Sequence, residues 1–446
     1  MSNQTAKPTP ETLFSQEAVW QSWLDVEAAL ARAQANIGMI PAWAAEDISA
    51  NAFLDRIGTD ALKASIKETM APVLSLTRLL VERSGKSGDY VHWGATTQNV
   101  MQTGNLLIMR KAHQQILGQL GRVFESLATL AEEHADTPMA GRTNRRHALP
   151  ITFGFKVAGW IEELCRAHER LTQIERRTFC LPFGGAVGAM HSYGNQGREL
   201  SSALARELNL GELLVPSRVV NDLFVDYVLG MSMLAMSIER IALELYTLME
   251  EEIGEISEQL AKGVVGSSTM PHKVNPKRVV KVIANCTRLR ALAAPAMEAG
   301  RPSHEADASA NYLLTSVIDD ACRLGWNLSA RFADLLERIT VNKARMAKNL
   351  TLSGPAMASE NLMMALAPHI GRNRAHDIIH HVIEEAPGDN ITTNLASHPE
   401  IAPHLSMERV SELLNVANYT GDSEPIARDA ARLSRATANA IANVSR

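Results

Sequence analysis

One stretch of the sequence combines a permissive backbone with groups that could do acid–base chemistry. Residues 263–278 read GVVGSSTMPHKVNPKR, and their polar side chains include Ser267, Ser268, Lys273 and Asn275. Glycine and serine permit the backbone angles and mobility of a closing lid. Lys273 and Asn275 could hold a carboxylate, and Ser267 could act on a proton if its hydroxyl were strongly activated. A plain helix connection would not need a lysine among so many small polar groups.

A second polar cluster, YVHWGATTQNVMQTGN at residues 90–105, stands just before an apolar helical run. Its hydrogen-bonding side chains include His92, Thr96, Thr97 and Gln98. Thr96 or Thr97 could cap the free amides of the following helix. A helix N-terminus that carries hydroxyls also suits a carboxylate ligand. Both explanations stay open from the residues alone.

A third cluster is basic and reads AGRTNRRHALPITFG at residues 140–154. Arg142, Arg145, Arg146 and His147 lie just before an apolar helical pattern. Solvated surface side chains are one explanation. The planar guanidinium group also matches a carboxylate in fork geometry, and the nearly uncharged helix start favours such a binding role.

Two further features are weaker. His304 and Glu305 open another helical block, where Ser303 with Glu305 could instead form a helix cap. His376 and His380 are spaced to share one helix face and could bind a metal. No HExxH glutamate and no third ligand accompany the pair, so we predict no metal site.

The elements that position these clusters are predicted to be helices. Valine and isoleucine occur at helical rather than alternating spacing, and aromatic residues make up only 5% of the chain. Strand signals are therefore nearly absent. Prolines divide the sequence into long helix-compatible blocks at residues 103–136, 151–177, 217–262, 277–297 and 310–350.

The block at 217–262 has a coiled-coil-like seam, which consists of Tyr227, Met231, Leu234, Ile238, Ile241, Leu245 and Leu248. Residues 223–241 are apolar on nearly all sides, which predicts burial in the centre of a bundle. We predict an all-α fold with an elongated central helical bundle at 103–352. Smaller helical regions flank it at 1–102 and 353–446. Leftover apolar surface favours a homo-oligomer.

Composition excludes several classes of protein. The net charge of −5 over 446 residues argues against a nucleic-acid or anionic-membrane partner. The N-terminus lacks a secretory pattern, and the most apolar window is interrupted by Glu239 and Arg240, which makes it a poor membrane span. The cysteines show no ligand spacing, so we expect reduced thiols in a cytoplasmic protein. They are Cys165, Cys180, Cys286 and Cys322.

The polar stretches resemble a known family. GSSTMPHKVNP is similar to the long and specific GSSxMPxKxNP signature of the fumarase/aspartase superfamily. VHWGATTQNVMQT and GRTNRRHALPITFGFKVAGW resemble segments of its adenylosuccinate lyase and 3-carboxy-cis,cis-muconate cycloisomerase branch, and the resemblance covers most of the chain. It implies a homotetramer with a central twenty-helix core and active sites shared by three subunits. It also implies small-molecule substrates with a succinyl-like unit, and no metal or organic cofactor.

The resemblance assigns roles to individual residues. Ser267 matches the serine general base, and Lys273 and Asn275 match residues that hold the carboxylate on which negative charge develops. Thr96 and Thr97 match the hydroxyl pair that grips a second carboxylate. The complete substrate-binding set that we predict is His92, Thr96, Thr97, Gln98, Arg142, Asn144, Arg145, Arg146, Ser268, Met270, Lys273 and Asn275.

The third cluster departs from the family at the proton donor. The adenylosuccinate lyase pattern is GRTHxQxAxP, and here Asn144 replaces its histidine and Arg146 its glutamine. Another histidine would have to protonate the leaving group. The candidates are His147, His304 and His92, in that order.

The second cluster departs from the family as well. Asn99 and Gln102 occupy positions that are often acidic in the family, so the local potential is more positive here. We therefore expect a substrate with more than two carboxylates. The leading prediction is a lyase that breaks a C–N bond by β-elimination from an N-substituted aspartate and releases fumarate.

The alternative is a 3-carboxy-cis,cis-muconate cycloisomerase, which closes a lactone within one molecule. A structural protein that has lost the chemistry is a third explanation. The intact Ser267, Lys273 and Asn275 weigh against it.

Overall fold

The computed structural model describes residues 8–259, 263, 266–385 and 390–444, and their regular structure is almost entirely helical. The helices up to the glycine-rich segment are α1 Pro10–Leu13, α2 Gln16–Asn36, α3 Ala42–Asn51, α4 Leu54–Ile57, α5 Thr59–Thr69, α6 Pro72–Ser84, α7 Thr97–Glu133, α8 Phe153–Thr178, α9 Gly197–Glu207 and α10 Asp222–Leu248. Those after it are α11 Val279–Arg290, α12 Ala293–Ala299, α13 Ala308–Leu336, α14 Lys343–Leu350, α15 Ser359–Ile370, α16 Arg372–Glu385, α17 Ile391–Ser397, α18 Met407–Leu413 and α19 Ser423–Val444. The all-α fold class is confirmed.

Two small antiparallel sheets interrupt the helices. The strand β1 Pro138–Thr143 pairs with β2 Arg146–Thr152, and β3 Ile256–Glu258 pairs with β4 Ile339–Val341. The first pair is a hairpin in the basic cluster, where the sequence predicted a loop and a helix from residue 151. That prediction was wrong locally, because the extended chain is stabilised by cross-strand pairing that helical periodicity does not report.

The predicted helical blocks occur with corrected boundaries. The block at 217–262 ends as a helix at Leu248, since Gly254 adopts a φ of +59° and the chain then enters β3. Residues 260–262 of that block lie outside the described residues. The block at 277–297 is divided into α11 and α12, and the block at 310–350 into α13, β4 and α14.

The seam predicted on α10 is confirmed. Its members, from Tyr227 to Leu248, are each at most 1% exposed. Burial on all sides is not observed, because Met233 is 39% and Met236 45% exposed. One face of this helix therefore carries apolar side chains to the surface of the chain.

The structure divides into two compact units, each built from separated stretches of chain. The first unit contains Met1–Gln119, Arg166–Ser237 and Ala284–Ala330, and the second contains Leu120–Cys165, Ile238–Ile283 and Arg331–Arg446. The sequence-based division at 1–102, 103–352 and 353–446 runs along the chain and stays a prediction.

In the first unit, α2 packs against α3 and α9 around a hydrophobic core. Helix α2 begins after Ser15, whose hydroxyl accepts the Ala18 N–H at 3.2 Å. Trp23, Leu24 and Leu30 belong to the buried face. That face also contains a buried carboxylate, which contributes to the candidate site below.

In the second unit, α14 packs against β1, and α15 and α16 pack against each other over a separate apolar cluster. None of the four cysteines, all within the described ranges, forms a disulfide, and Cys180, Cys286 and Cys322 are buried. Within the described residues, no helix is long and apolar enough to cross a membrane. No group of three metal-binding side chains occurs among them either.

Candidate active site

The signature segment folds back on itself around Ser267. The Ser267 hydroxyl oxygen accepts the backbone N–H groups of Met270 at 3.1 Å and Thr269 at 3.4 Å. Two donors on one hydroxyl stabilise negative charge on that oxygen, which a serine base requires. A short serine turn would make the same contacts, so the geometry suits both a structural and a chemical role.

Gly266 permits this compact arrangement. A side chain at Gly266 would place its Cβ 2.9 Å from the Lys273 carbonyl oxygen and 3.0 Å from the Val274 Cα. The Asn275 N–H lies 3.4 Å from the Gly266 carbonyl, and the Lys273 N–H donates to the Met270 carbonyl at 3.0 Å. Backbone contacts therefore bring Lys273 and Asn275 into the same small segment as Ser267.

Lys273 carries an exposed cation. Its side chain has no ion pair within the described part of the chain. Ser268 and Met270 are exposed as well, and Asn275 is partly buried. The segment therefore presents a lysine, a hydroxyl and an amide to solvent, with Ser267 partly covered.

Glu258 lies at the end of β3, before the signature segment, and binds the chain that follows the segment. Its carboxylate accepts the backbone N–H groups of Lys277, Arg278 and Val279 at 2.8 to 3.1 Å. Arg278 also donates from Nε to Asp334 Oδ2 at 2.6 Å. These contacts satisfy the free amides at the start of α11 and fix the point where the signature segment ends and the helix begins.

The basic cluster occupies the tip of the β1–β2 hairpin. Asn144 and Arg145 form its two-residue turn, and their φ values of 50° and 64° are those of a type I′ turn. Both residues and Arg146 are exposed. Neither Arg145 nor Arg146 has an ion pair in the described ranges, so the tip presents two guanidinium groups to solvent.

Arg142 is engaged inside the protein. Its guanidinium donates to both carboxylate oxygens of Glu255, at 2.6 and 3.0 Å, and the Asn349 side-chain amide donates to the same carboxylate at 2.8 Å. Glu255 is fully buried. The fork geometry expected of Arg142 is present, but its partner is a carboxylate of the protein, and substrate binding by Arg142 stays a prediction.

Replacing Glu255 by alanine is expected to destabilise the protein strongly. The largely buried Arg142 guanidinium would lose its carboxylate partner, and breaking such a pair costs about 3–5 kcal/mol. Urea unfolding measures this loss. The control is Glu337→Ala, which removes the half-exposed partner of Arg122 and should cost less than about 1 kcal/mol. Equal losses in the two variants would contradict a structural role for the buried pair.

His147 is partly buried beside this pair. Its Nδ1 lies 3.1 Å from the Ser353 hydroxyl. Burial, and then the nearby Arg142 guanidinium, lower the pKa of His147, against the opposing charge of Glu255. It lines a polar cavity of about 510 Å³ with Arg145, Lys156 and other residues. A lowered pKa leaves less of the histidine protonated at neutral pH, so that less of it can donate a proton, which counts against the first-ranked candidate.

The first unit contains the cluster before α7. Thr96 stands at the helix start, where its carbonyl accepts the Asn99 N–H at 2.9 Å, and Thr97 is the first helical residue. Thr97 is exposed, and Thr96 and Gln98 are partly buried. His92 precedes them in a turn, with its Nδ1 2.6 Å from the Glu27 carboxylate on α2. This partner is a residue that the sequence analysis missed.

The amides at the family's acidic positions serve the fold. The fully buried Asn99 accepts the Gly185 N–H at 3.0 Å and lies 3.4 Å from the Pro182 carbonyl. Gln102 donates to the Arg218 carbonyl at 3.0 Å. Both side chains hold long connections of the first unit in place. Aspartates could not donate these bonds, which gives the substitutions a structural reason.

His304 is exposed and has a positive φ of 53°. The cap of α13 is Asp307, which accepts the N–H groups of Ser309 at 3.1 Å and Ala310 at 3.2 Å. The predicted cap formed by Ser303 with Glu305 was wrong, since Ser303 donates to Asp307 instead. Asp307 begins the helix because its carboxylate can accept several amides at once.

The predicted residues thus form two groups. The first unit contains His92, Thr96, Thr97, Gln98 and His304, and the second contains the signature segment and the hairpin. Within the second unit, the hairpin precedes β3 in the chain and the signature segment follows it. The strand β3 begins directly after Glu255 and ends at Glu258.

Comparison with known proteins places the chain in a family. Residues 3–290 match the family model described as Lyase, and residues 355–430 match the one described as adenylosuccinate lyase C-terminus. The chain is 34% identical to 3-carboxy-cis,cis-muconate cycloisomerase of Pseudomonas aeruginosa, over 92% of this chain and 91% of that protein. It is 31% identical to adenylosuccinate lyase of Methanothermobacter thermautotrophicus, over 93% and 94% of the two chains.

A solved structure agrees with these similarities. The 3-carboxy-cis,cis-muconate lactonizing enzyme of Pseudomonas putida superposes with a TM-score of 0.88 at 32% identity, covering 96% of this chain and 97% of that one. The fold, the signature segment and the similarity along nearly the whole chain all indicate the same family. The chain therefore belongs to the fumarase/aspartase superfamily, in its adenylosuccinate lyase and 3-carboxy-cis,cis-muconate cycloisomerase branch, as an enzyme of the lyase or cycloisomerase type.

Proposed function

We propose that this enzyme breaks a C–N bond in an N-substituted aspartate by β-elimination and releases fumarate. The observation that carries the proposal is the Ser267 hydroxyl under two backbone N–H groups. A serine hydroxyl is normally far too weak an acid to ionise near neutral pH. Amide donors on its oxygen favour the alkoxide, which would take the proton from the carbon next to a substrate carboxylate.

Lys273 would stabilise the intermediate of this reaction. Removal of the proton leaves two negative charges on the adjacent carboxylate, as an aci-carboxylate. A lysine without an ion pair in the described residues, together with the Asn275 amide, could balance that charge. The electron pair then forms the double bond of fumarate as the C–N bond breaks and the nitrogen accepts a proton from a general acid.

The exposed arginines support a substrate with more than two carboxylates. Arg145 and Arg146 are exposed at the hairpin tip, Arg145 lines the polar cavity, and guanidinium groups bind carboxylates in fork geometry. Turnover of amino-linked polycarboxylates should then far exceed turnover of adenylosuccinate or argininosuccinate. Equal or better activity on adenylosuccinate would contradict this part of the proposal.

Replacing Arg145 or Arg146 by glutamine is expected to raise KM for a tricarboxylate substrate with little change in kcat. A hydrogen bond to a charged group contributes about 1.5–3 kcal/mol, which corresponds to roughly ten- to hundredfold in KM. Steady-state kinetics on a dicarboxylate and a tricarboxylate substrate measure the effect. Arg372→Gln, which removes an exposed arginine of the same unit, is the control. A similar KM change for both substrates would show that the third carboxylate is not recognised here.

The second candidate is a 3-carboxy-cis,cis-muconate cycloisomerase. Similarity to proteins of that name supports it, as does Asn144 at the place of the adenylosuccinate lyase histidine. Incubation of the pure protein with a panel of succinyl-amines and with 3-carboxymuconate separates the two reactions. Fumarate appears only with the lyase, and loss of the muconate diene absorbance only with the cycloisomerase.

We infer that the enzyme is a cytoplasmic homotetramer whose active sites are shared between subunits. The exposed apolar side chains of α10 support association, and include Met233, Met236, Leu243 and Tyr246. Sedimentation equilibrium measures the mass in solution. A monomer at micromolar concentration would contradict the inference.

A further inference from the structure

The Glu258 side chain connects the chain before the signature segment to the chain after it. Its carboxylate accepts the N–H groups of Lys277, Arg278 and Val279, which lie 19 to 21 positions further along. A usual helix cap comes from the residue just before the helix. This carboxylate comes from a separate strand, so the contact closes a loop as well as capping α11.

The Arg278 side chain makes a second connection between the same two ends. Its Nη1 donates to the Gln259 carbonyl at 3.2 Å, and its Nε donates to Asp334 on α13 at 2.6 Å. The Gln259 N–H in turn donates to the Arg338 carbonyl at 2.7 Å. Glu258 itself is the last residue of β3, which pairs with β4. Both ends of the segment are therefore held on regular structure.

A short path of backbone contacts leads from this closure to Ser267. Asn275, two positions before Lys277, has its N–H 3.4 Å from the Gly266 carbonyl. Gly266 directly precedes Ser267 and lies close to the returning chain, since a Cβ there would be 2.9 Å from the Lys273 carbonyl oxygen. A displacement of Lys277 would therefore be passed to the peptide unit that carries the serine.

We propose that Glu258 is a positioning residue of the elimination and acts through the backbone on the Ser267 hydroxyl. This inference rests on the proposed function, in which that hydroxyl is the base. In this role the carboxylate neither touches the substrate nor exchanges a proton. It holds the segment so that the Thr269 and Met270 N–H groups stay directed at the serine oxygen. A misplacement of about 1 Å can cost a catalytic step roughly 10²-fold, so the contact should be visible in the rate.

The experiment uses two variants that loosen the closure in different ways. Glu258→Gln keeps the shape of the side chain but puts an NH₂ group where an oxygen accepts backbone N–H groups. Arg278→Gln keeps the backbone contacts of Glu258 and removes the guanidinium connection. The control is Ser406→Ala, which removes the hydroxyl that caps α18 in the same unit. Glu258→Gln is also made in the Ser267→Ala background.

The kinetic arm separates kcat from KM. We expect Glu258→Gln to lower kcat by about 10- to 10²-fold with KM within about twofold of the wild type. Arg278→Gln should lower kcat by less, and Ser406→Ala should keep the wild-type value. In the Ser267→Ala background, Glu258→Gln should cause no further loss, because its effect passes through the missing hydroxyl. Fumarate release, or diene loss for the cycloisomerase reaction, measures the rate.

Amide hydrogen exchange, resolved to single residues by fragmentation mass spectrometry, follows the position of the serine turn directly. In Glu258→Gln, exchange should become faster at Met270 and Lys273, whose N–H groups bond within that turn, as well as at Val279. A helix cap alone would change only the amides that it binds. Faster exchange confined to residues 277–279 would therefore overturn the inference.

The kinetic arm has its own contradicting outcomes. An unchanged kcat in a folded Glu258→Gln protein would remove Glu258 from the reaction. A loss in the Ser267→Ala background equal to that in the wild type would show that the carboxylate does not act through the serine. If no compound of the panel is turned over, or if Ser267→Ala keeps full turnover, the proposed function fails instead. The exchange arm then decides alone whether Glu258 holds the serine turn.

Discussion

Replacing Ser267 by alanine is expected to lower kcat by about 10²–10⁴-fold, the range that a positioned general base contributes. The variant loses the oxygen that accepts the Thr269 and Met270 amides and, in our proposal, the substrate proton. KM should change little, because the carboxylate-binding groups remain. Steady-state fumarate release, or diene loss if the cycloisomerase reaction applies, measures the effect.

Ser257→Ala is the matched control for this variant. Ser257 is an exposed serine on β3, outside the groups assigned to substrate, and its loss should leave kcat unchanged. Circular dichroism and sedimentation of both variants test that the fold and the assembly persist. A Ser267→Ala protein that is folded and retains full turnover would overturn the assignment of the base.

Replacing Lys273 by methionine should remove most activity with little change in stability. Methionine keeps the length of the side chain and deletes the charge that would stabilise the aci-carboxylate. Loss of one such donor costs about 10²–10³-fold in kcat. The exposed lysine makes no ion pair among the described residues, so thermal unfolding should be nearly unchanged.

Lys277→Met is the control, since this lysine is also exposed and lies in the same stretch of chain. Its backbone N–H is held by Glu258, and the substitution keeps that amide. Retained activity in Lys273→Met would place the lysine outside the reaction. An equal loss in the control would point instead to the general charge of the region.

The long helices were predictable because their packing repeats along the chain. Steps of three and four from Tyr227 to Leu248 predict one buried stripe, and the structure buries each member. The exposure of Met233 and Met236 was not predictable from hydrophobicity, because apolar residues on the surface of a chain and in its core have the same side chains. The fold class therefore followed from periodicity, and the helix boundaries did not.

The hairpin was missed for a local reason. The usual sequence of a type I′ turn is Asn-Gly, and here Arg145 occupies the position where glycine is expected. The flanking strands contain charged residues and two prolines, Pro138 and Pro150, which hide the alternation of a half-buried sheet. Pairing between β1 and β2, and the packing of α14 against β1, stabilise the extended conformation, and neither can be read from one short run of residues.

The reactive groups of the candidate site were recognisable, but their buried partners were not. Ser267, Lys273 and His92 lie in short polar stretches with known family positions. Glu27 lies in an ordinary helical pattern and Glu255 in the acidic stretch EEEIGEISE, and their partners lie 65 and 113 residues away in sequence. An acid exposed to solvent can have the same neighbours in sequence as a buried one. Only the tertiary fold therefore distinguishes the buried acids from exposed ones.

The contacts of Glu258 have a consequence for how this family diversifies. Its carboxylate accepts three backbone N–H groups where the signature segment ends and α11 begins. The register of α11 is thereby set by a side chain that precedes the segment in the chain. Substitutions, and even changes of length, inside the segment can alter the chemistry while the helix keeps its starting point. The chemistry of the segment and the placement of α11 can therefore change independently.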